Sequence, residues 1–126
     1  MNVTSSEDAT PVLSLSNGDT VKEATAIAMH LARDKNTLLG STPFQQAQVD
    51  QWVAWSECVT PHAKKLCGLI QATPKNINGA AFKALRTQIV SEAQALNAHL
   101  KGKKFITGKA ATVADYACAA ALVTCF

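Results

Sequence analysis

Phe105-Ile-Thr-Gly-Lys-Ala-Ala-Thr-Val-Ala-Asp-Tyr-Ala-Cys-Ala-Ala-Ala-Leu122 reads as an extended turn that enters a helix. Thr112 is a good N-cap, and Asp115 stands three residues later. A threonine hydroxyl at the cap accepts the N–H of the third helical residue, and the carboxylate reaches back to the cap's own N–H. Together they close a capping box and put negative charge at the positive end of the helix dipole. From Tyr116 to Phe126 the chain is almost wholly apolar and rich in alanine. A helix apolar on all sides is expected at the centre of a bundle, covered by its neighbours.

Working back from this stretch, Phe82, Leu85, Ile89, Ala93, Leu96 and Leu100 recur at steps of three and four. They predict a helix from about Ala80 to Leu100 that packs against the central one. Gly102 ends it, within a basic turn of Lys101, Lys103 and Lys104, joined by Lys109. Cations at a helix C-terminus suit the dipole, and that reading is preferred over contact with RNA phosphates. A second capping box is read at Thr42 and Gln45, with Pro43 at the first helical position. The helix it opens carries Val49, Trp52, Val53, Ser56 and Val59 at helical spacing, with Trp52 assigned to the core. Pro61 is expected to kink or interrupt it, and the run from Thr73 to Gly79 reads as a loop.

At the other end, Thr10 to Val21 reads as a hairpin turning at Asn17-Gly18. Glu23 to Arg33 follows as a helix with Ile27, His30 and Leu31 close to one face, and Asp34 to Ser41 as a polar linker. Residues 1–9 read as disordered or as a remnant of something larger.

Composition narrows the classes. A chain of 126 residues with 48 % apolar content holds one domain, or one and a piece of another, with a real core. Its charged content of 17 % is low, which points to apolar surface covered by a partner or by further chain. A net charge of +3 is too small to argue for nucleic acid. The polar, acidic N-terminus has neither the basic nor the apolar region of a signal peptide, and the longest apolar run is too short for a bilayer. Cys58, Cys67, Cys118 and Cys125 show no CxxC and no zinc spacing. They read as free thiols in a reducing compartment, hence a cytoplasmic protein. No glycine-rich phosphate loop, HExxH or GxSxG occurs. His30, His62 and His99 are scattered, and neither a metal nor a catalytic set is read.

The stretch 105–122, with its Thr-x-x-Asp box, resembles the opening of the central helix in glutathione-transferase-like helical domains. It is most similar to the gamma subunits of the eukaryotic elongation factor 1B complex, and Val49-Asp-Gln-Trp-Val-Ala-Trp55 resembles those subunits and synthetase-associated relatives alike. Ala111 departs from that family's bulky residue before the cap. The resemblance implies a mainly α fold: a helical bundle like the C-terminal domain of the transferases over 41–126, incomplete at its C-terminus, preceded by a truncated thioredoxin-like piece, β-hairpin plus helix, over 1–34. Thr10 and Pro11 match a strand that carries a cis-proline in the family. Glu23, Ala24 and Thr25 match a helix start where a serine hydroxyl holds the γ-glutamyl carboxylate of glutathione. Ala24 has no hydroxyl to give, and Thr25, one place on, substitutes poorly. Too few residues precede Pro11 for the strand, helix and strand that carry the catalytic group.

The resemblance therefore implies vestigial glutathione positions, no catalysis, no cofactor and no metal. It implies a scaffold that binds the exchange-factor subunits of elongation factor 1B, with homo- or hetero-dimers through transferase-like faces, no membrane, and at most weak nucleic-acid contact at the lysines. Two other readings stay open. One is a domain of an aminoacyl-tRNA synthetase or of a multi-synthetase scaffold, which Ala26-Ile-Ala-Met-His-Leu31 and Leu38-Leu-Gly-Ser-Thr42 also resemble. The other is a glutathione transferase.

Overall fold

The computed structural model describes residues 1–5, 10–71 and 79–123. The loop expected from Thr73, the continuation of the last helix to Phe126, and Cys125 lie outside the described residues. The described elements run β1 (Asn2–Ser5), β2 (Pro11–Ser14), β3 (Thr20–Lys22), α1 (Ala24–Asp34), α2 (Pro43–Gln71), α3 (Gly79–Leu100) and α4 (Val113–Val123). The fold is mainly α, with a small sheet and one helix ahead of a helical bundle, as the sequence predicts.

The hairpin forms because Gly18 takes a φ of +93°, which a side chain disfavours. Gly18 N–H bonds Leu15 O at 3.1 Å and Leu15 N–H bonds Asp19 O at 2.9 Å, leaving a three-residue loop closed by an αL glycine. The Asn17 side chain locks it, its Oδ1 accepting from Asp19 N–H at 3.1 Å. Residues 2–5 form a strand and are not disordered. They pair antiparallel with β2, Val3 opposite Leu13 and Thr4 opposite Val12, in the sheet order β1-β2-β3. The Thr10–Pro11 bond is trans, as is every peptide bond among the described residues, which corrects the cis-proline expectation. Trans is the favoured isomer even before proline, and Pro11 sits at the first position of β2, where a proline is tolerated.

α1 buries Ile27, Met29 and Ala32, whereas His30 and Leu31 are only half-buried. Its inward stripe is therefore rotated from the predicted one, with Met29 and Ala32 in place of His30 and Leu31. Met29 and Ala32 share one buried cluster with Val49, Trp52 and Val53 of α2, Leu96 of α3, Ile106, and Val113, Ala114 and Cys118 of α4. A smaller cluster joins α2 and α3 farther out through Leu66, Leu85 and Ile89.

α2 runs unbroken through Pro61, against the expected interruption. The proline removes an N–H donor to the carbonyl four residues earlier. That residue is Glu57, which like Pro61 is exposed, so the freed carbonyl lies at the solvent-facing side of the helix. Buried contacts on the other side, through Val59, Ala63 and Leu66, hold the helix together. Its start also departs from a simple capping box. Thr42 Oγ1 accepts from Gln45 N–H at 3.2 Å, but Gln45 Oε1 accepts from Ser41 N–H at 2.8 Å, one residue before the cap.

The linker between α1 and α2 is fixed rather than loose. Asn36, Leu38 and Gly40 all have positive φ, at 48°, 61° and 85°. A side chain on Gly40 would put its Cβ 2.6 Å from Gln45 Cβ, inside the first turn of α2. Gly40→Ala is therefore expected to destabilise the fold by about 2 kcal/mol, from the left-handed backbone and the overlap together. Chemical denaturation checks it; an unchanged midpoint would show that the linker yields.

Among the described residues α4 is covered on one side only. Val113, Ala114, Cys118 and Ala121 are buried, whereas Tyr116, Ala119, Ala120 and Val123 are exposed. An all-apolar sequence does not by itself dictate coverage on all sides, and among the described residues the buried side of α4 packs against α2 with α1 beside it.

Candidate functional site

Two places gather the residues that the sequence singles out. The first is where the sheet meets α1. Glu23 N–H donates to Pro11 O at 3.2 Å, so the Thr10-Pro11 and Glu23-Ala24-Thr25 segments lie side by side. Glu23 adopts a φ of +73° and makes no side-chain cap to α1. Ala24 is exposed and Thr10 half-buried. A cleft of about 590 Å³ opens between this helix start and α2, with Glu23, Asp50 and Glu57 among its walls and Val53 and Met29 on its floor. Across it, Thr25 Oγ1 donates to Glu57 Oε1. Glu57 stands 32 residues from Thr25, and no local pattern in the sequence points to it. The hydroxyl nearest the family's γ-glutamyl anchor is thus already engaged, and by a carboxylate. A ligand carboxylate placed here meets like charge, opposed only at the far end of the cleft by Arg33 and, when protonated, His30.

The second place is the entry to α4. Asp115 Oδ2 accepts from Thr112 N–H at 2.8 Å and from Thr112 Oγ1 at 2.9 Å, and Oδ1 accepts from Ile106 N–H at 2.8 Å. The expected bond from Asp115 N–H to the threonine hydroxyl is not made; that N–H goes to Thr112 O at 3.1 Å. A carboxylate is the stronger acceptor, so the hydroxyl turns to donate to it. Leu38 O accepts from Val113 N–H at 2.9 Å, which ties the linker to the same helix start. The box therefore holds three chain segments together.

Between these places lies an aromatic group. Trp52 is 6 % exposed; its ring meets Trp55 edge-on at 5.5 Å and His99 at 4.7 Å. His99 Nε2–H donates to Ile106 O at 2.8 Å, so the Ile106 peptide is held by α3 on one side and by Asp115 of α4 on the other. Cys118 Sγ–H donates to Trp52 O at 3.5 Å. Burial, with Asp115 nearby, pushes the Cys118 thiol up to about 12. The folded state thus holds the proton more tightly than the unfolded chain, whose thiol ionises near 9.0, and stability falls as pH rises from 9.0 towards 12. Cys118 is expected to resist a maleimide at pH 8 while exposed Cys58 reacts within minutes; mass spectrometry of the labelled chain checks it, and equal labelling would refute the burial.

The basic turn is a helix end. Gly102 has a φ of +74° and Lys103 N–H bonds Leu100 O at 2.8 Å. Lys101, Lys103, Lys104 and Lys109 are exposed, Lys104 lying over the Phe105 ring at 5.6 Å and Lys103 Nζ lying 3.5 Å from His99 Nε2. His62 acquires an acid that sequence spacing could not show: Glu92 Oε1, from α3, lies 3.0 Å from its Nδ1. Among the described residues no cluster of three His, Cys, Asp or Glu side chains is arranged to hold a metal, and no helix is long and apolar enough to cross a membrane.

The sheet, the helix start beside it and the bundle together define a glutathione-transferase-like fold. A glutathione transferase family member from Pseudomonas fluorescens pf-5, solved with two glutathione bound, superposes with a TM-score of 0.78 at 16 % identity, over 92 % of this chain and 53 % of that one. Gtt2 from Saccharomyces cerevisiae gives 0.68 at 21 % identity, over 90 % and 59 %. A glutathione S-transferase from Rhodospirillum rubrum F11 gives 0.71 at 20 %, over 90 % and 55 %. At these identities the likeness concerns the fold alone. Among sequences, elongation factor 1-gamma of Artemia salina is 28 % identical over 120 residues, 91 % of this chain. The chain spans 25 % of that relative's length. No protein-family model matches the chain.

Proposed function

We propose that this chain is a noncatalytic, glutathione-transferase-like interaction module of the translation apparatus, serving as a scaffold in the elongation factor 1B exchange complex. The observation that carries the noncatalytic reading is the engaged helix start. Ala24 offers no hydroxyl, and Thr25 donates to Glu57 in a cleft walled by three carboxylates. The translation assignment is supported by the likeness to elongation factor 1-gamma over nearly the whole chain. On this reading residues 1–34 are the thioredoxin-like remnant and 41–126 the helical domain, and the protein works in the cytoplasm without a cofactor. Thr10, Pro11, Glu23, Ala24 and Thr25 are vestiges of a glutathione site, and the partners are the exchange-factor subunits. The lysines of the α3 end serve the helix dipole rather than RNA.

Two measurements on the same purified protein test this. Calorimetry with millimolar glutathione is expected to give no heat of binding, and conjugation to a chlorodinitrobenzene electrophile no rate above background. Purified exchange-factor subunits are expected to co-elute with the chain. Turnover of the electrophile would return the protein to the transferases, and co-elution with aminoacyl-tRNA synthetases instead would move it to the multi-synthetase class.

A further inference from the structure

The basic turn after α3 gathers one sign of charge and leaves it unneutralised. Lys101, Lys103, Lys104 and Lys109 are exposed, and from Ala93 to Ala114 the chain has no acid. Asp115, the next acid, is half-buried and turns both oxygens inward, to Ile106 N–H and to Thr112. Among the described residues the acid–base contacts, Lys35 with Asp34 and His62 with Glu92, lie elsewhere. The dipole of α3 accounts for Lys101 and Lys103, beside the last helical turn, but it acts no farther than that turn. Lys104 and Lys109 need another reason. Phe105 and Gly108 form an antiparallel bridge, Phe105 N–H bonding Gly108 O at 3.3 Å and Gly108 N–H bonding Phe105 O at 2.9 Å. The residues that flank this bridge, Lys104 and Lys109, therefore stand across from each other. Like charges so placed are destabilising, and a local rule broken without compensation is expected at functional positions. Beyond Lys109 the surface drops into a groove of about 710 Å³ between the turn and the linker from α1 to α2. Among the described residues Lys109 is the one charged residue of its lining, and Thr37, Ser41, Gln45 and Thr107 give it hydroxyl and amide groups.

We propose that the turn and the groove together dock an extended, acidic polypeptide segment. Its carboxylates meet Lys101, Lys103, Lys104 and Lys109 and relieve the Lys104–Lys109 opposition. Its backbone, which carries a donor and an acceptor at nearly every residue, lies in the polar groove. Nucleic acid fits the same surface less well. Arginine forks are the preferred readers of phosphates, and exposed rings stack on bases. The turn has no arginine, and its one ring, Phe105, is half-buried beneath Lys104 Nζ at 5.6 Å. The scaffold is already set. Gly102, with a φ of +74°, fixes the helix end, and His99 and Asp115 hold the Ile106 peptide from two sides. Docking then orders little beyond the lysine side chains. The inference needs only this geometry and stands apart from the translation assignment above.

Fluorescence anisotropy of the full chain with two labelled probes of equal charge tests it. One probe is a peptide alternating glutamate with glycine, the other an oligouridylate. The peptide is expected to bind the more tightly, and to weaken as salt rises. Each Lys→Gln change in the turn is expected to weaken it about twofold, and the four together about tenfold or more. Lys64→Gln with Lys65→Gln removes exposed charge from α2 instead and is expected to leave the peptide's affinity unchanged. Thr37→Trp, which fills the groove without altering charge, is expected to weaken the peptide. Circular dichroism establishes that each variant is folded. A wild type that ignores the peptide, tighter binding of the oligouridylate, equal losses per charge from the two sets of lysines, or a peptide indifferent to Thr37→Trp would overturn the proposal.

Discussion

Asp115→Ala is expected to lower the unfolding free energy by roughly 3–5 kcal/mol, the largest loss from any single carboxylate in the chain. Three donors lose their acceptor at once: Thr112 N–H, the Thr112 hydroxyl and Ile106 N–H. Thr112 is 1 % exposed and Ile106 2 %, so water does not readily replace the lost oxygen atoms. Each bond to a carboxylate is worth about 1.5–3 kcal/mol, and the partners share one site, so their losses do not simply add. The loss of negative charge from the first turn of α4 acts in the same direction. Asp115→Asn separates the contributions. Its one amide oxygen can serve the two Thr112 donors, but the amide nitrogen then faces Ile106 N–H, donor against donor. About half the loss is expected. Urea denaturation reads both variants from the midpoint at constant slope. A loss below about 1 kcal/mol for the alanine variant would mean that the turn 105–111 finds other acceptors.

Trp52→Ala is expected to cost a similar amount, about 3–5 kcal/mol, by a different route. The indole lies at the junction of the shared cluster, against Trp55 and His99, and its own backbone carbonyl takes the Cys118 thiol. Truncation leaves a cavity that four chain segments cannot collapse into without giving up the His99–Ile106 and Asp115–Ile106 bonds. Trp52→Phe provides the control. The indole N–H is buried without a hydrogen-bond partner. Removing it relieves an unsatisfied donor, and that offsets part of the lost volume, so the phenylalanine variant should lose only about 1 kcal/mol. Trp55→Ala should lose less than Trp52→Ala because Trp55 is only half-buried. If Trp55→Ala were the more damaging, the centre of the core would lie on the other indole.

The readable features share one property: their signal is local. Leu85, Ile89 and Leu96 repeat at helical steps, Asn17-Gly18 sits in its turn, and Thr112 and Asp115 stand three apart. What escaped the sequence depends on distant partners. β1 holds a single apolar residue, Val3, and becomes a strand only because β2 offers a ladder. Pro61 carries a strong breaker signal, overridden by buried contacts on the opposite side of α2. The Thr25–Glu57 and His62–Glu92 contacts join different helices and have no counterpart in spacing. The candidate cleft was legible in its α1 half and silent in its α2 half.

The bond from Val113 N–H to Leu38 O has a consequence for how the chain divides. The segment between α1 and α2 looks in sequence like a tether, a natural place to cut the polypeptide into two folding units. Instead it supplies the acceptor for the first amide of a helix that begins 75 positions later (113 minus 38). A bundle expressed from residue 41 onward would carry every helix of its own and still lack the acceptor for Val113, along with Met29 and Ala32 from the shared core. The two pieces therefore share a hydrogen bond and a core, and the segment between them acts as a keystone.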